Sequence, residues 1–136
     1  MNAPTVVRVG EVMSREVRTV DRMATVREAM EIMADSGVSS LVIERRDDHD
    51  ELGLVVIADI ANLVIAAQRS PERVNVYEVM SKPVITLPEE MDIKYGIRLL
   101  VRFELSRALV IDHDRKLCGL VTLRDMVLRY AEREPR

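Results

Sequence analysis

Apolar residues stand at Val26, Ala29, Met30 and Met33, and again at Ile93, Gly96, Ile97 and Leu100, each time with the i, i+3, i+4, i+7 spacing of one helical face. Each member of the second set lies 67 residues after its counterpart, and the same displacement carries Glu11-Val12-Met13-Ser14 onto Glu78-Val79-Met80-Ser81. The chain is therefore an internal repeat. Thr25-Val26-Arg27-Glu28 supplies a capping box for the first helix, and Gly37 ends it by tolerating a left-handed conformation. Glu104 occupies the matching position in the second copy. There a left-handed residue costs about 1 kcal/mol relative to Gly, unless the helix ends differently.

After each helix the period changes. Ser39 to Glu44 and Arg107 to Asp112 are rich in Val, Leu and Ile and read as buried strands, followed by polar turns at Arg45 to Glu51 and His113 to Lys116. A second aliphatic strand begins near Gly53 or Gly119, now displaced by 66 residues, a slip that turns between strands absorb. Each second strand runs into Asp59 or Asp125 and then a helix. Each copy thus reads as short helix, strand, helix, strand, strand, helix. The fold class is mixed α+β, with one repeat over residues 1–68 and the other over 69–136, linked by Gln68 to Val74 with Ser70-Pro71-Glu72 as punctuation. A copy of this size buries too little surface to be secure alone, so the two are expected to pack as one compact module.

Composition narrows the function classes. A chain of 136 residues leaves no room for a second, independent catalytic domain. Hydrophobic residues at 48% and charged residues at 32% describe a globular protein with a true core. With no Trp, one Phe and three Tyr, that core is aliphatic and there is no aromatic platform for stacking bases. The net charge of −3 argues against a surface that tracks phosphates, so no nucleic-acid partner is expected. A single cysteine, Cys118, forms no intramolecular disulfide and points to a reducing compartment. Met1 to Gly10 lacks the basic flank and apolar run of a signal peptide, and the apolar stretch from Leu52 to Ala67 is broken by Asp59 and Asn62. The expectation is a cytoplasmic protein with no membrane span.

Gly119-Leu120-Val121-Thr122-Leu123-Arg124-Asp125 follows a strand-to-helix pattern of Gly, two apolar residues, Thr or Ser, two variable residues and Asp. With the duplicated Glu-Val-Met-Ser, the chain resembles the CBS-domain family from roughly Val9 to Arg129. The resemblance implies two CBS repeats related by a pseudo-twofold axis, a pair called a Bateman module. It further implies regulatory adenosine-containing ligands (AMP, ADP, ATP, S-adenosylmethionine or a dinucleotide) held in clefts between the copies. No obligatory cofactor follows from it. It also implies that Val38 and Ser39 line the cleft of Thr122, Arg124 and Asp125 through backbone contacts to the adenine edge. Two chains are expected to pair through apolar helix faces such as those following Asp59 and Asp125, and an unidentified regulated protein would read the ligand-bound state.

The residues of this motif have chemistry of their own. Asp125, where a strand gives way to a helix, can cap that helix or accept hydrogen bonds from both hydroxyls of a ribose. Thr122 can offer its hydroxyl to a phosphate or ribose oxygen, Arg124 can neutralise phosphate charge, and helix N-terminal amides add donors. The bland reading makes Asp125 an N-cap and Thr122 a strand residue. Copy one departs from the pattern, with Val56 in place of Thr122 and Ala58 in place of Arg124. A second cleft of Asp59, Leu105 and Ser106 is accordingly expected to bind weakly or not at all. The alternative function is a structural dimerisation protein without ligand binding.

Other constellations read as structural. Asp47-Asp48-His49-Asp50-Glu51 is an acidic run on a turn, whose side chains are expected to point apart into water instead of holding a metal. Cys118, beside Gly119 in a strand, is expected to be a small buried residue and not a nucleophile, and no catalytic residue is assigned. Met30 and Met33 fall on the apolar stripe as core filling. Glu132 to Arg136 alternate in charge and suit a frayed end.

Overall fold

A computed structural model describes residues 6–82 and 84–133 of the chain. In chain order the elements are α1 (Val9–Val12), α2 (Val26–Ser36), β1 (Ser40–Ile43), β2 (Gly53–Val56), α3 (Ile57–Ile60) continued by a π-helical turn (Ala61–Ile65), 3-10 turns at Pro71–Arg73 and Val76–Glu78, β3 (Thr86–Pro88), α4 (Ile93–Arg102), β4 (Arg107–Ile111), β5 (Leu117–Thr122) and α5 (Leu123–Arg133). They divide into two compact units, one formed by Val17–Val84 and the other by the residues up to Glu16 together with those from Ile85 onward. Among the described residues no helix is long and apolar enough to cross a membrane. Of the terminal residues expected to fray, 134–136 lie outside the described residues.

In the unit of Val17–Val84, α2 begins where its capping box is made. The Thr25 hydroxyl accepts from the Glu28 amide at 3.1 Å, and the Glu28 carboxylate accepts from the Thr25 amide at 2.8 Å. The helix ends at Gly37, whose φ of 70° is left-handed and whose N–H donates to the Met33 carbonyl. β1 and β2 form an antiparallel hairpin running from Ser40 opposite Val56 to Ile43 opposite Gly53. Val26, Ala29 and Met33 on α2 pack with Leu41, Ile43 and Val55 of the hairpin, all buried, and each large side chain so buried contributes about 1.5–3 kcal/mol. The strand expected ahead of α2 shrinks here to a single parallel bridge between Thr19 and Val42. The Asp21 carboxylate accepts from the Met23 amide at 2.7 Å, and that local turn leads the chain off the ladder.

The other unit builds a three-stranded sheet in the order β3-β4-β5, with β3 parallel and β5 antiparallel to β4. Here the strand ahead of the helix does form. α4 is capped by Asp92, whose side chain accepts from the Lys94 amide at 3.0 Å. Val9, Leu87, Ile93, Leu100, Val110, Val121 and Met126 fill the core. Glu104, with φ 55°, takes the left-handed conformation that Gly37 takes in the first copy. The terminus closes the same way in both copies: the Leu105 amide reaches the Leu100 carbonyl at 2.8 Å, as the Val38 amide reaches that of Met33 at 3.2 Å.

The duplicated Glu-Val-Met-Ser acquires a physical role. Glu11 and Glu78 accept from the amides of Arg8 and Asn75, each at 2.9 Å, and so start the short helical turns. Ser14 then bridges antiparallel to Leu120, and Ser81 to Leu54. At these crossings the backbones come so close that a Cβ on Gly119 would lie 2.5 Å from the Met13 sulfur and 2.8 Å from the Ser14 carbonyl oxygen. A Cβ on Gly53 would lie 3.1 Å from the Met80 sulfur and 3.6 Å from the Ser81 oxygen. Each repeat's Met-Ser thus packs over the glycine of the other repeat, and the two compact units divide the chain elsewhere than at 68/69.

Candidate functional site

The strand-to-helix turn at the end of β5 gathers three of the residues singled out above. Thr122 is the last residue of the strand, and its hydroxyl oxygen accepts from the Asp125 amide at 3.0 Å. Thr122 is therefore the N-cap of α5. Of the two roles open to Asp125, the cap falls to Thr122, and Asp125 lies in the first turn of the helix. The reason is local: α5 begins at Leu123, so a Thr three residues ahead of the acid fits the cap and the acid does not. The Thr-x-x-Asp spacing carried that signal.

The Asp125 side chain is half exposed and lies 3.6 Å from an Arg124 guanidinium nitrogen, with Arg124 itself largely in solvent. Its carboxylate keeps acceptor capacity, and the Thr122 hydroxyl, accepting from the amide, keeps its proton to donate. The helix amides offer less than expected. The Leu123 amide donates to the Ser106 carbonyl at 2.8 Å and the Asp125 amide to Thr122, so two of the first three are already engaged. Ser106 therefore lies against this turn, and Leu105 beside it in sequence is in the same unit as Thr122.

The corresponding turn of the other unit carries Asp59, Val38 and Ser39. Its backbone tie is the same, the Ile57 amide donating to the Ser39 carbonyl at 2.9 Å, but Val56 stands at the N-cap with no side-chain hydrogen bond. Asp59 lies in the first turn of α3, which after Ile60 passes into the π-helical turn. The Val38 amide is committed to closing α2, and the Val38 side chain lines an apolar cavity of about 270 Å³ with Met33, Ile57 and Ile65.

The remaining candidates find structural partners. Asp50 departs from the expected solvated turn: its side chain is only 7% exposed and lies 2.6 Å from the Lys82 ammonium. It also accepts from the Arg46 amide at 2.9 Å, and these contacts, Lys82 foremost, hold its carboxyl far below the usual carboxylate range. Lys82 is distant in sequence, which is why the run alone did not show the pairing. Asp112 accepts from the amides of Asp114 and Lys116 and shapes the matching turn. Cys118 is half-buried, and burial with the carboxylates of Glu89 and Asp112 pushes its thiol up, away from the thiolate. His113 lies against Asp114 at 3.6 Å on the exposed turn. Among the described residues no three His, Cys, Asp or Glu side chains gather to hold a metal. Met33 is buried in the core and Met30 packs against it.

The family model described as CBS domain matches residues 9–66 and again 76–132. An uncharacterized protein of Methanopyrus kandleri is 32% identical over 89% of this chain and 61% of its own length. The chain thus spans about six-tenths of that curated relative, and less of others it matches. The hexameric CBS-CP12 protein from bloom-forming cyanobacteria superposes with a TM-score of 0.90 at 30% identity, over 98% of this chain and 79% of that one. The CBS domain pair of protein MJ0100, solved with 5-methylthioadenosine and S-adenosylmethionine, superposes with a TM-score of 0.78 at 24% identity, over 96% of this chain and all of that one.

Proposed function

Because this chain belongs to the CBS-domain family and carries the domain twice, we propose that it is a non-catalytic regulatory module that binds an adenosine-containing ligand at the Thr122-Leu123-Arg124-Asp125 turn. The observation that carries this reading is the division of labour on that turn. Thr122 satisfies the helix through its oxygen lone pair while retaining a proton for a phosphate or ribose oxygen, and Asp125, relieved of capping, presents a half-exposed carboxylate. One carboxylate matches the paired hydroxyls of a ribose, and Arg124 supplies positive charge for a phosphate. The adenosine ligands of the MJ0100 domain pair support the ligand class. The Asp59 turn, with neither hydroxyl nor guanidinium, binds weakly or not at all.

Two copies of the chain pair through the helix faces that follow Asp59 and Asp125, in the cytoplasm, and another protein reads the ligand-bound state. For the ligand to regulate, its affinity must differ between two states of the module, typically by about 1–3 kcal/mol. A thermal-shift screen with AMP, ATP and S-adenosylmethionine tests the binding reading. Ligand at about 100 times its Kd adds about 2.7 kcal/mol and raises Tm by several degrees. The rise is expected for at least one of the three and is lost in Asp125→Ala. Silence from all three at millimolar concentration overturns the proposal in favour of a dimerisation scaffold.

A further inference from the structure

At the end of β1 remote from Val38 and Ser39, a groove of about 380 Å³ opens beside the bridge between Thr19 and Val42, within the unit of Val17–Val84. Its lining holds three guanidinium groups, from Arg22, Arg45 and Arg46, and two carboxylates, from Asp21 and Glu44. Asp21 gives one oxygen to the Met23 amide at 2.7 Å. Arg46 donates through Nε to Asp50 at 3.2 Å, whose carboxylate is also held by Lys82. Arg22 is different. Its guanidinium lies over the Tyr77 ring, 5.5 Å from the ring centre, and its Nε is buried yet meets no acceptor among the described residues. A buried donor left unpaired is costly, so this group calls for an acceptor that the chain itself does not provide. The ring holds the guanidinium by its face, and the donors in the plane of the fork suit an oxyanion.

The second copy supplies an internal control. The pairing of Thr19 with Val42 recurs, 67 residues on, as that of Thr86 with Leu109. By the same displacement Glu89 stands where Arg22 does, and Asp112 where Arg45 does. The equivalent end of the second sheet therefore carries carboxylates at those positions. The cations are a property of copy one and not a requirement of the fold.

We propose that this groove is a second binding site, taking a small oxyanion, phosphate or carboxylate, with Arg22 as its anchor. It is independent of the Thr122 turn, which lies in the other unit. The groove's volume is near the lower end of the roughly 300–1,000 Å³ of small-molecule pockets, which suits a compact ion. Asp21 and Glu44 in the lining disfavour polyanions and accept from a hydroxyl or ammonium that the ion carries.

Heteronuclear NMR of the full chain in a buffer free of oxyanions tests it, read at the Arg22 Nε–H and at the amides of residues 19–22 and 43–46. Titration with inorganic phosphate or with succinate, at constant ionic strength, is expected to move these signals saturably at millimolar concentration. A response to phosphate alone assigns a phosphate-bearing ligand and a response to succinate alone a carboxylate, and either supports the site. Arg22→Gln is expected to raise the Kd about tenfold or more, and Arg22→Lys, which keeps the charge without the planar fork, to recover part of that loss. Arg27→Gln, which removes a guanidinium elsewhere in the same unit, is expected to change the Kd by about twofold or less. No shift from either probe, or equal weakening by Arg22→Gln and Arg27→Gln, overturns the proposal. A response that Asp125→Ala abolishes places the ion at the Thr122 turn and also overturns it. Each variant's amide spectrum reports whether it is folded, and if Arg22→Gln is not, Arg22→Lys decides, an unaltered Kd overturning the anchor role.

Discussion

The turn at Val56 and the turn at Thr122 share a backbone and differ in chemistry. In both, the first amide of the following helix donates to a serine carbonyl, from Ile57 to Ser39 and from Leu123 to Ser106. Only at Thr122 does a side chain cap the helix, and only there do a guanidinium and a carboxylate lie side by side. The backbone tie suffices to make the turn, so the hydroxyl is separable from the fold. The helices that follow also differ: α5 runs for 11 residues, whereas α3 lasts 4 before the π-helical turn.

The largest expected effect sharpens the comparison through the glycines that begin the two motifs. Gly119→Ala forces a methyl to within 2.8 Å of the Ser14 carbonyl oxygen, a backbone atom that cannot step aside. Chemical denaturation should show a loss of about 2–3 kcal/mol. Gly53→Ala meets chiefly the Met80 sulfur at 3.1 Å, which can move, and should cost about 1 kcal/mol or less. Equal costs would mean that the two crossings are equally tight. Next in size is the cap itself. Thr122→Val removes the hydroxyl oxygen that accepts from the Asp125 amide and should cost about 1 kcal/mol in the same assay. Its mirror, Val56→Thr, offers the Asp59 amide an acceptor and should stabilise by about 0.5 kcal/mol. No change from either would show that water serves these amides as well as a hydroxyl. The smallest effect is at the other helix end: Glu104→Gly should gain about 0.5–1 kcal/mol by relieving a φ of 55°.

The order of the elements was legible because its signals are local. The stripe from Val26 to Met33, the Thr25 capping box and the left-handed Gly37 all act within one helix, and the hairpin residues alternate within a few positions. The first strand of copy one was not legible, since the Asx turn at Asp21 decides it against an apolar pattern that both copies share. The exchange of Met-Ser between the two sequence repeats, made within each compact unit, and the Asp50 to Lys82 ion pair depend on contacts across long stretches of chain that no local spacing announces. At the candidate site Thr-x-x-Asp is a capping pattern, as Thr25-x-x-Glu28 is, and that spacing puts the cap on Thr122 and leaves Asp125 in the first turn.

The central claim is that one of two similar turns binds and the other does not, and isothermal titration calorimetry with AMP and S-adenosylmethionine tests it most directly. The account predicts one adenosine ligand per chain, with the heat abolished by Asp125→Ala and retained by Asp59→Ala. Two equal sites per chain, or binding that survives Asp125→Ala and disappears with Asp59→Ala, would contradict it.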